Sequence, residues 1–193
     1  MFRLKLATDP RWAKLVEEDI SAVLTDHAWC EQKAASNAIS IIIAYPEYSE
    51  MVEALSSIAV EEMQHFQQVH ALIRDRGFVL GPERKDDYVN QLYKFMVKGY
   101  GRKAYLMDRL LFAAMIEARS CERFRVLAEH VADAELAKFY RDLMISEANH
   151  YTIFLQYARA LDDEAVVEKR WNEWLVFEGE IIAGYGKEQK IHG

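Results

Sequence analysis

The sequence VEEMQHF at residues 60–66 and the sequence SEANHY at residues 146–151 each place a histidine three residues after a glutamate. The pairs are Glu62 with His65 and Glu147 with His150. Each pair interrupts the apolar stripe of a long segment with helical periodicity, so both members are predicted to face inward. Residues three apart on a helix lie on one face, about 5–6 Å apart at Cβ, and can therefore reach one ion.

A further glutamate precedes each pair at nearly the same distance along the chain. Glu31 lies 31 residues before Glu62, and Glu117 lies 30 residues before Glu147. Each half of the chain therefore has the pattern of a helical hairpin with one inward glutamate on its first helix and Glu-x-x-His on its second. Burying an unpaired carboxylate costs many kcal/mol, so these side chains need a cation or another partner. Four glutamates and two histidines are the ligand set of a dinuclear carboxylate centre in ferritin-like bundles: Glu31, Glu62, His65, Glu117, Glu147 and His150.

Helical periodicity runs through nearly the whole chain, and no strand-like alternation competes with it. Breaks fall at Pro46, Gly77, Gly101 and Asp133. The predicted helices cover residues 10–45, 47–76, 88–100, 102–130, 134–161 and 164–185, with a connector at 78–87. The pattern predicts an all-α fold, a single ferritin-like domain over residues 1–193. Its architecture is a four-helix bundle with additional helices and a long connection between helices two and three.

Composition excludes several classes of protein. The 193 residues are 51% hydrophobic with 8 Gly and 3 Pro, which is not a disordered or collagen-like chain. A net charge of −7 argues against coating nucleic acid with the whole surface. Two cysteines without C-x-x-C spacing provide neither a disulfide framework nor a zinc site. No apolar run approaches the length of a membrane span, so we expect no membrane partner and a cytoplasmic location.

Four segments carry a family resemblance: HAWCEQKAAS (27–36), VEEMQHF (60–66), IEARSCERF (116–124) and SEANHY (146–151). They resemble the MiaE-type tRNA 2-methylthio-isopentenyladenosine hydroxylases, which are ferritin-like non-haem diiron monooxygenases. The resemblance covers nearly the full chain, and the family's metal ligands fall on the same six residues.

The resemblance implies a reaction and its cofactors. The reaction is the O₂-dependent hydroxylation of the isopentenyl group of 2-methylthio-isopentenyladenosine, next to the anticodon in tRNA. It requires two iron ions, O₂ as co-substrate and an external electron donor. No flavin or iron–sulfur motif is present in the sequence, so a separate reductase or ferredoxin-like partner is implied. The metal ligands form the catalytic centre, and no separate protein acid or base is assigned.

A locally basic segment is the candidate contact for tRNA. Residues 74–109 contain nine basic and five acidic side chains within an otherwise acidic chain. Basic residues interleaved with aromatic ones suit the recognition of RNA loops. We predict substrate contacts at Lys98, Arg102 and Lys103. The alternative is an ordinary solvated connector.

Further interpretations stay open at this point. Ligand spacing alone does not separate iron from manganese, so a ferritin-like ferroxidase or iron-handling protein and a manganese catalase-like peroxide dismutase stand as alternatives. Cys121 is predicted to be a small buried residue rather than a ligand, and His27 a core or rim histidine. Arg119, Glu122 and Arg123 are predicted to form an ion-pair network rather than to touch substrate phosphate. The oligomeric state is left open.

Overall fold

The computed structural model describes residues 2–97, 99, 101–184 and 191, and within these ranges it contains helices and no strands. Seven helices follow one another in this described part of the chain: α1 (Trp12–Glu18), α2 (Ile20–Ala44), α3 (Ser49–Asp75), α4 (Asp87–Tyr93), α5 (Arg102–His130), α6 (Ala134–Arg159) and α7 (Glu164–Ala183).

Most predicted helix ends are confirmed, and their causes are local. Gly77 adopts a positive φ of 74° directly after α3, a conformation that glycine adopts without strain. Asp133 caps α6, because its side chain accepts a hydrogen bond from the Leu136 amide at 2.9 Å. The connection between α3 and α5 is long and contains α4.

Two predicted helices differ from the structure. The predicted helix over residues 10–45 is two helices, because Asp19 interrupts it and its side chain accepts a hydrogen bond from the Ala22 amide at 2.9 Å. Aspartate bonds to its own downstream backbone in this way and so begins a new helix. The helix predicted over residues 88–100 ends at Tyr93, followed by turns. Lys98 and Tyr100 lie outside the described residues.

The described residues divide into two compact units. One, here called the α2–α3 unit, contains residues 16–85 and 191. Its two long helices pack side by side as a hairpin with a turn at residues 45–48. The connector after α3 lies along α2, where the Trp29 indole donates to the Gly81 carbonyl at 2.9 Å and Lys33 pairs with Glu83 at 2.8 Å.

The second unit, here called the α5–α6 unit, contains residues 2–15 and the described residues from 86 to 184. Helices α5 and α6 form its hairpin, and α4 and α7 pack against them. Twenty of the 29 residues of α5 are buried, which makes it the central helix of this unit.

The loop between α4 and α5 is held by one buried carboxylate. Asp108 of α5 is fully buried and accepts hydrogen bonds from the Val97 amide at 2.7 Å and from Arg170 at 2.7 and 2.8 Å. Arg170 also donates to the Phe95 carbonyl at 2.8 Å. This pair ties α7 and the loop to α5.

None of the described helices combines the length and the hydropathy that crossing a bilayer requires. The single-domain organisation over residues 1–193 stays a prediction.

Candidate metal centre

The α2–α3 unit gathers three of the predicted ligands. Glu31, Glu62 and His65 are all buried. The His65 Nδ1 atom lies 3.3 Å from Glu62 Oε2 and 3.6 Å from Glu31 Oε2. One donor atom from each of the three side chains lies within 4.8 Å of the other two, a spacing that allows one metal ion to bind all three. We call these residues the first triad.

The α5–α6 unit gathers the other three in the same way. Glu117, Glu147 and His150 are 4%, 3% and 1% exposed, and one donor atom from each lies within 4.8 Å of the others. We call these residues the second triad.

Within each hairpin, the two glutamates of the triad lie the same number of residues from the turn. Glu31 lies thirteen residues before the end of α2 at Ala44, and Glu62 lies thirteen residues after the start of α3 at Ser49. In the other hairpin, Glu117 lies thirteen residues before His130, and Glu147 lies thirteen residues after Ala134.

A rise of 1.5 Å per residue therefore places both glutamates of a hairpin at one level, about 20 Å from the turn. The histidine follows one turn later on the same face. Equal arm lengths explain why the distances of 31 and 30 residues seen in the sequence produce two similar triads.

The chemistry of each triad suits a transition-metal ion. Each offers two carboxylates and one imidazole, a mixed oxygen and nitrogen donor set that fits ferrous iron and also manganese. Two buried carboxylates this close together repel one another unless a cation or proton lies between them. The residues present therefore fit a metal, because the charge of one divalent ion balances the two carboxylates of each triad.

His27 is the additional polar residue next to the first triad. It is fully buried on α2, one turn before Glu31, and its Nε2 atom lies 2.5 Å from Glu31 Oε1. The prediction of a core or rim histidine agrees with its burial, but its contact with the predicted ligand Glu31 was not assigned from the sequence.

A family model described as tRNA-(MS[2]IO[6]A)-hydroxylase (MiaE) matches residues 2–193. This chain belongs to the MiaE family. The resemblance predicted from its four segments is thereby confirmed over the whole chain.

Two relatives bear the name tRNA 2-(methylsulfanyl)-N(6)-isopentenyladenosine(37) hydroxylase. The protein from Pseudomonas putida KT2440 is 36% identical over 185 residues, covering 96% of this chain and 89% of the relative. The protein from Salmonella typhimurium LT2 is 26% identical over 222 residues, covering 91% and 81%.

A solved structure is similar in both fold and sequence. This structure, named "Protein 43 with aldehyde deformylating oxygenase activity from Synechococcus", is 33% identical and covers 98% of this chain and 95% of its own, with a TM-score of 0.92. The predicted all-helical, ferritin-like fold class is confirmed.

The α5–α6 unit also contains a buried ionic network. Arg119 is fully buried and donates to Glu122 at 2.9 Å, to Glu178 at 2.6 and 2.7 Å and to the Leu6 carbonyl at 3.0 Å. Thr8 donates to Glu122 through both its amide, at 2.9 Å, and its hydroxyl, at 2.5 Å. The guanidinium of Arg119 is thus saturated by internal partners, as the ion-pair prediction requires.

Glu178, a member of this network on α7, was not predicted from the sequence. It is fully buried and also accepts a hydrogen bond from the Tyr88 hydroxyl at 3.2 Å. Burial raises the pKa of the Glu178 carboxyl and, together with the Glu178 charge, raises that of the Tyr88 phenol. Arg123 lies over the Trp12 ring, 4.4 Å from its centroid, and burial lowers the pKa of its guanidinium to about 10.

The two cysteines show no sign of acting as ligands. Cys121 is fully buried, and its thiol donates to the Met144 carbonyl at 3.2 Å. Burial, reinforced by the negative charge of Glu147, raises the pKa of the Cys121 thiol to about 12. It is therefore a neutral thiol at physiological pH, which agrees with the predicted small buried residue. Cys30 is partly exposed.

The predicted substrate contacts are only partly within the described residues. Lys98 lies outside them. Arg102 and Lys103 begin α5 and are both exposed, and the Lys103 ammonium lies 3.3 Å from an Asp162 carboxylate oxygen. Their exposure leaves both side chains accessible to a large ligand, and their contact with tRNA stays a prediction.

Proposed function

We propose that this protein hydroxylates the isopentenyl group of 2-methylthio-isopentenyladenosine next to the anticodon in tRNA, using O₂ and a diiron centre. We further propose that the six side chains of the first and second triads are the ligands of the two iron ions. The observation that carries the proposal is the pair of similar buried triads, one on each hairpin, in a chain that matches the MiaE family from residue 2 to residue 193.

The protein's side chains supply the conditions that this chemistry needs. Four carboxylates balance the charge of two divalent cations, which makes burial of the ions tolerable. The imidazoles of His65 and His150 add one nitrogen donor in each triad, and six side chains leave room for further ligands on the ions. When bound, the iron supplies the chemistry that activates O₂ for insertion of one oxygen atom into a C–H bond of the isopentenyl group. All six side chains are buried, which keeps bulk water away from the atoms that would bind the metal.

Hydroxylation also fixes what the protein must obtain from elsewhere. One oxygen atom of O₂ enters a C–H bond as hydroxyl, and the other leaves as water with two protons and two electrons. Those electrons come from an external donor, for which we propose a reductase or a ferredoxin-like protein. A cytoplasmic location accords with a tRNA substrate.

The direct test is mass spectrometry of tRNA nucleosides. Protein loaded with Fe²⁺ is incubated with tRNA that carries 2-methylthio-isopentenyladenosine, a reductant and air. The expected product is that nucleoside heavier by one oxygen atom, about 16 Da. Glu62→Gln removes one carboxylate of the first triad and is expected to abolish the product. Glu53→Gln is the matched control, because Glu53 is an exposed glutamate of the same helix. An unchanged nucleoside with iron-loaded wild-type protein would contradict the proposal.

Aldehyde deformylation is a second candidate function, because the similar solved structure is named for that activity. It is tested in parallel by supplying a fatty aldehyde in place of tRNA and measuring the hydrocarbon shortened by one carbon.

The retained metal and the reaction product together separate the catalase-like and iron-handling functions from the hydroxylase. Retention of manganese with rapid dismutation of hydrogen peroxide would favour a catalase-like protein. Accumulation of ferric mineral without a tRNA product would favour an iron-handling protein.

A further inference from the structure

The two triads differ in the residue one turn before their first glutamate. In the α2–α3 unit this residue is His27, which precedes Glu31 by four positions; in the α5–α6 unit it is Ala113, which precedes Glu117 by four positions. Both residues are buried. An alanine side chain cannot form a hydrogen bond, so the first triad has a polar support at a position where the second has none.

The contact between His27 and Glu31 is directional. His27 Nε2 lies 2.5 Å from Glu31 Oε1, whereas the other carboxylate oxygen, Oε2, lies 3.6 Å from His65 Nδ1. A metal-bound carboxylate can only accept hydrogen bonds, so the His27 ring must carry its proton on Nε2. One oxygen of Glu31 is then engaged by His27, and the other faces the remaining members of the triad.

We propose that His27 is a positioning residue that orients Glu31 for metal binding and restricts it to one coordinating oxygen, Oε2. This inference rests on the proposed function, because it requires the first triad to bind iron. A ligand held in one orientation loses less conformational freedom when the ion binds, so the support increases affinity. Because Ala113 provides no equivalent, the effect is confined to the metal position that Glu31 serves.

The test compares two amide substitutions at this position. A glutamine amide nitrogen can occupy the place of histidine Nε2, whereas an asparagine amide is one carbon shorter and cannot reach Glu31. Asparagine also leaves a larger gap than glutamine at this buried position, so the melting temperature of each metal-free variant measures the loss of packing separately from the loss of the hydrogen bond. His70→Asn is the control, because His70 is an exposed histidine of α3 that stacks on the Phe66 ring.

The measurement is anaerobic titration of the metal-free full-length protein with Fe²⁺, with thermal unfolding of each metal-free variant recorded alongside. Wild type and His70→Asn are expected to bind two ions. In His27→Asn, one of the two ions is expected to bind about 10–100-fold more weakly, and in His27→Gln most of that loss is expected to be recovered.

The outcomes separate this inference from the proposed function. Binding of both ions by His27→Asn within about twofold of wild type would overturn the positioning role while leaving the diiron proposal intact. Equal weakening in the Asn and Gln variants would also overturn it, since it would point to packing. Failure of the wild-type protein to bind two ions would overturn the proposed function and this inference with it.

Discussion

Removal of the Glu178 carboxylate is expected to destabilise the protein strongly. Glu178→Ala leaves the buried Arg119 guanidinium without the oxygen that accepts from its Nε and Nη2 atoms at 2.7 and 2.6 Å. The Tyr88 hydroxyl loses its acceptor as well. The cluster of Arg119, Glu122, Arg123 and Glu178 changes from balanced charge to a net positive charge inside the protein.

The magnitude follows from the cost of breaking a buried ion pair. Removing one partner of such a pair typically costs about 3–5 kcal/mol, because the other charge remains buried. For a chain of this length, that loss lowers the melting temperature by about 6–20 °C. Glu178→Gln keeps an acceptor oxygen, and the raised pKa of Glu178 shows that burial already opposes its charge. Because the amide keeps the acceptor but still leaves the Arg119 charge unbalanced, we expect it to cost about 1.5–3 kcal/mol, less than the alanine.

The assay is urea denaturation followed by circular dichroism at neutral pH, since urea does not screen charges as guanidinium does. Glu180→Ala is the matched control, an exposed glutamate of the same helix, and is expected to change the unfolding free energy by less than about 0.5 kcal/mol. A loss below about 1 kcal/mol in Glu178→Ala would refute the reasoning, because it would mean that Arg119 is held adequately by its remaining partners.

Three further predictions concern the substrate surface, the thiols and a helix cap. Reversing the charge of the three predicted phosphate contacts is expected to weaken tRNA binding and reduce its salt dependence, without loss of iron; unchanged binding in filter or mobility-shift assays would contradict it. The three contacts are Lys98, Arg102 and Lys103. In native protein at pH 8, iodoacetamide is expected to modify Cys30 but not Cys121, since alkylation requires a thiolate and the pKa of Cys121 is raised to about 12; peptide mass spectrometry showing equal labelling would refute this. Asp19→Ala removes the cap of α2 and is expected to cost about 1 kcal/mol in urea denaturation, whereas no change would show that the cap is dispensable.

Regular features of this fold were predictable because their causes are local. Gly77 and Asp133 end or begin helices through their own backbone preferences, and both positions were predicted correctly. The six proposed ligands were predicted because glutamates and histidines interrupt apolar stripes at helical spacing. The structure brings three of them together within each hairpin.

The features that were missed depend on partners distant in sequence or on competing local preferences. Glu178 lies in the apolar stripe of α7, which is the same pattern that indicated the proposed ligand glutamates, but Ile181 rather than histidine follows three residues later. Its partner Arg119 lies 59 residues earlier, so the sequence could not show the pair. Asp108 was counted among the acidic residues of the locally basic segment 74–109, yet it is fully buried and pairs with Arg170 of α7.

Asp19 illustrates a different kind of error. Its surroundings have helical periodicity on both sides, so the pattern predicted one continuous helix. The side chain of Asp19 satisfies the Ala22 amide, which makes a helix start locally favourable in the middle of that pattern. The predicted register on either side was unaffected, so Glu31 still lies beside Glu62 and His65 in the first triad.

The central claim is that one oxygen atom of O₂ is inserted into a tRNA nucleoside by iron that the proposed ligands bind. It is tested most directly by running the reaction with iron-loaded protein under ¹⁸O₂. Mass spectrometry then measures the mass of the 2-methylthio-isopentenyladenosine nucleoside released from the tRNA. The account predicts a gain of about 18 Da in place of about 16 Da, and no gain with either Glu62→Gln or Glu147→Gln, one variant from each hairpin. A gain of about 16 Da under ¹⁸O₂, or full activity in either variant, would contradict it.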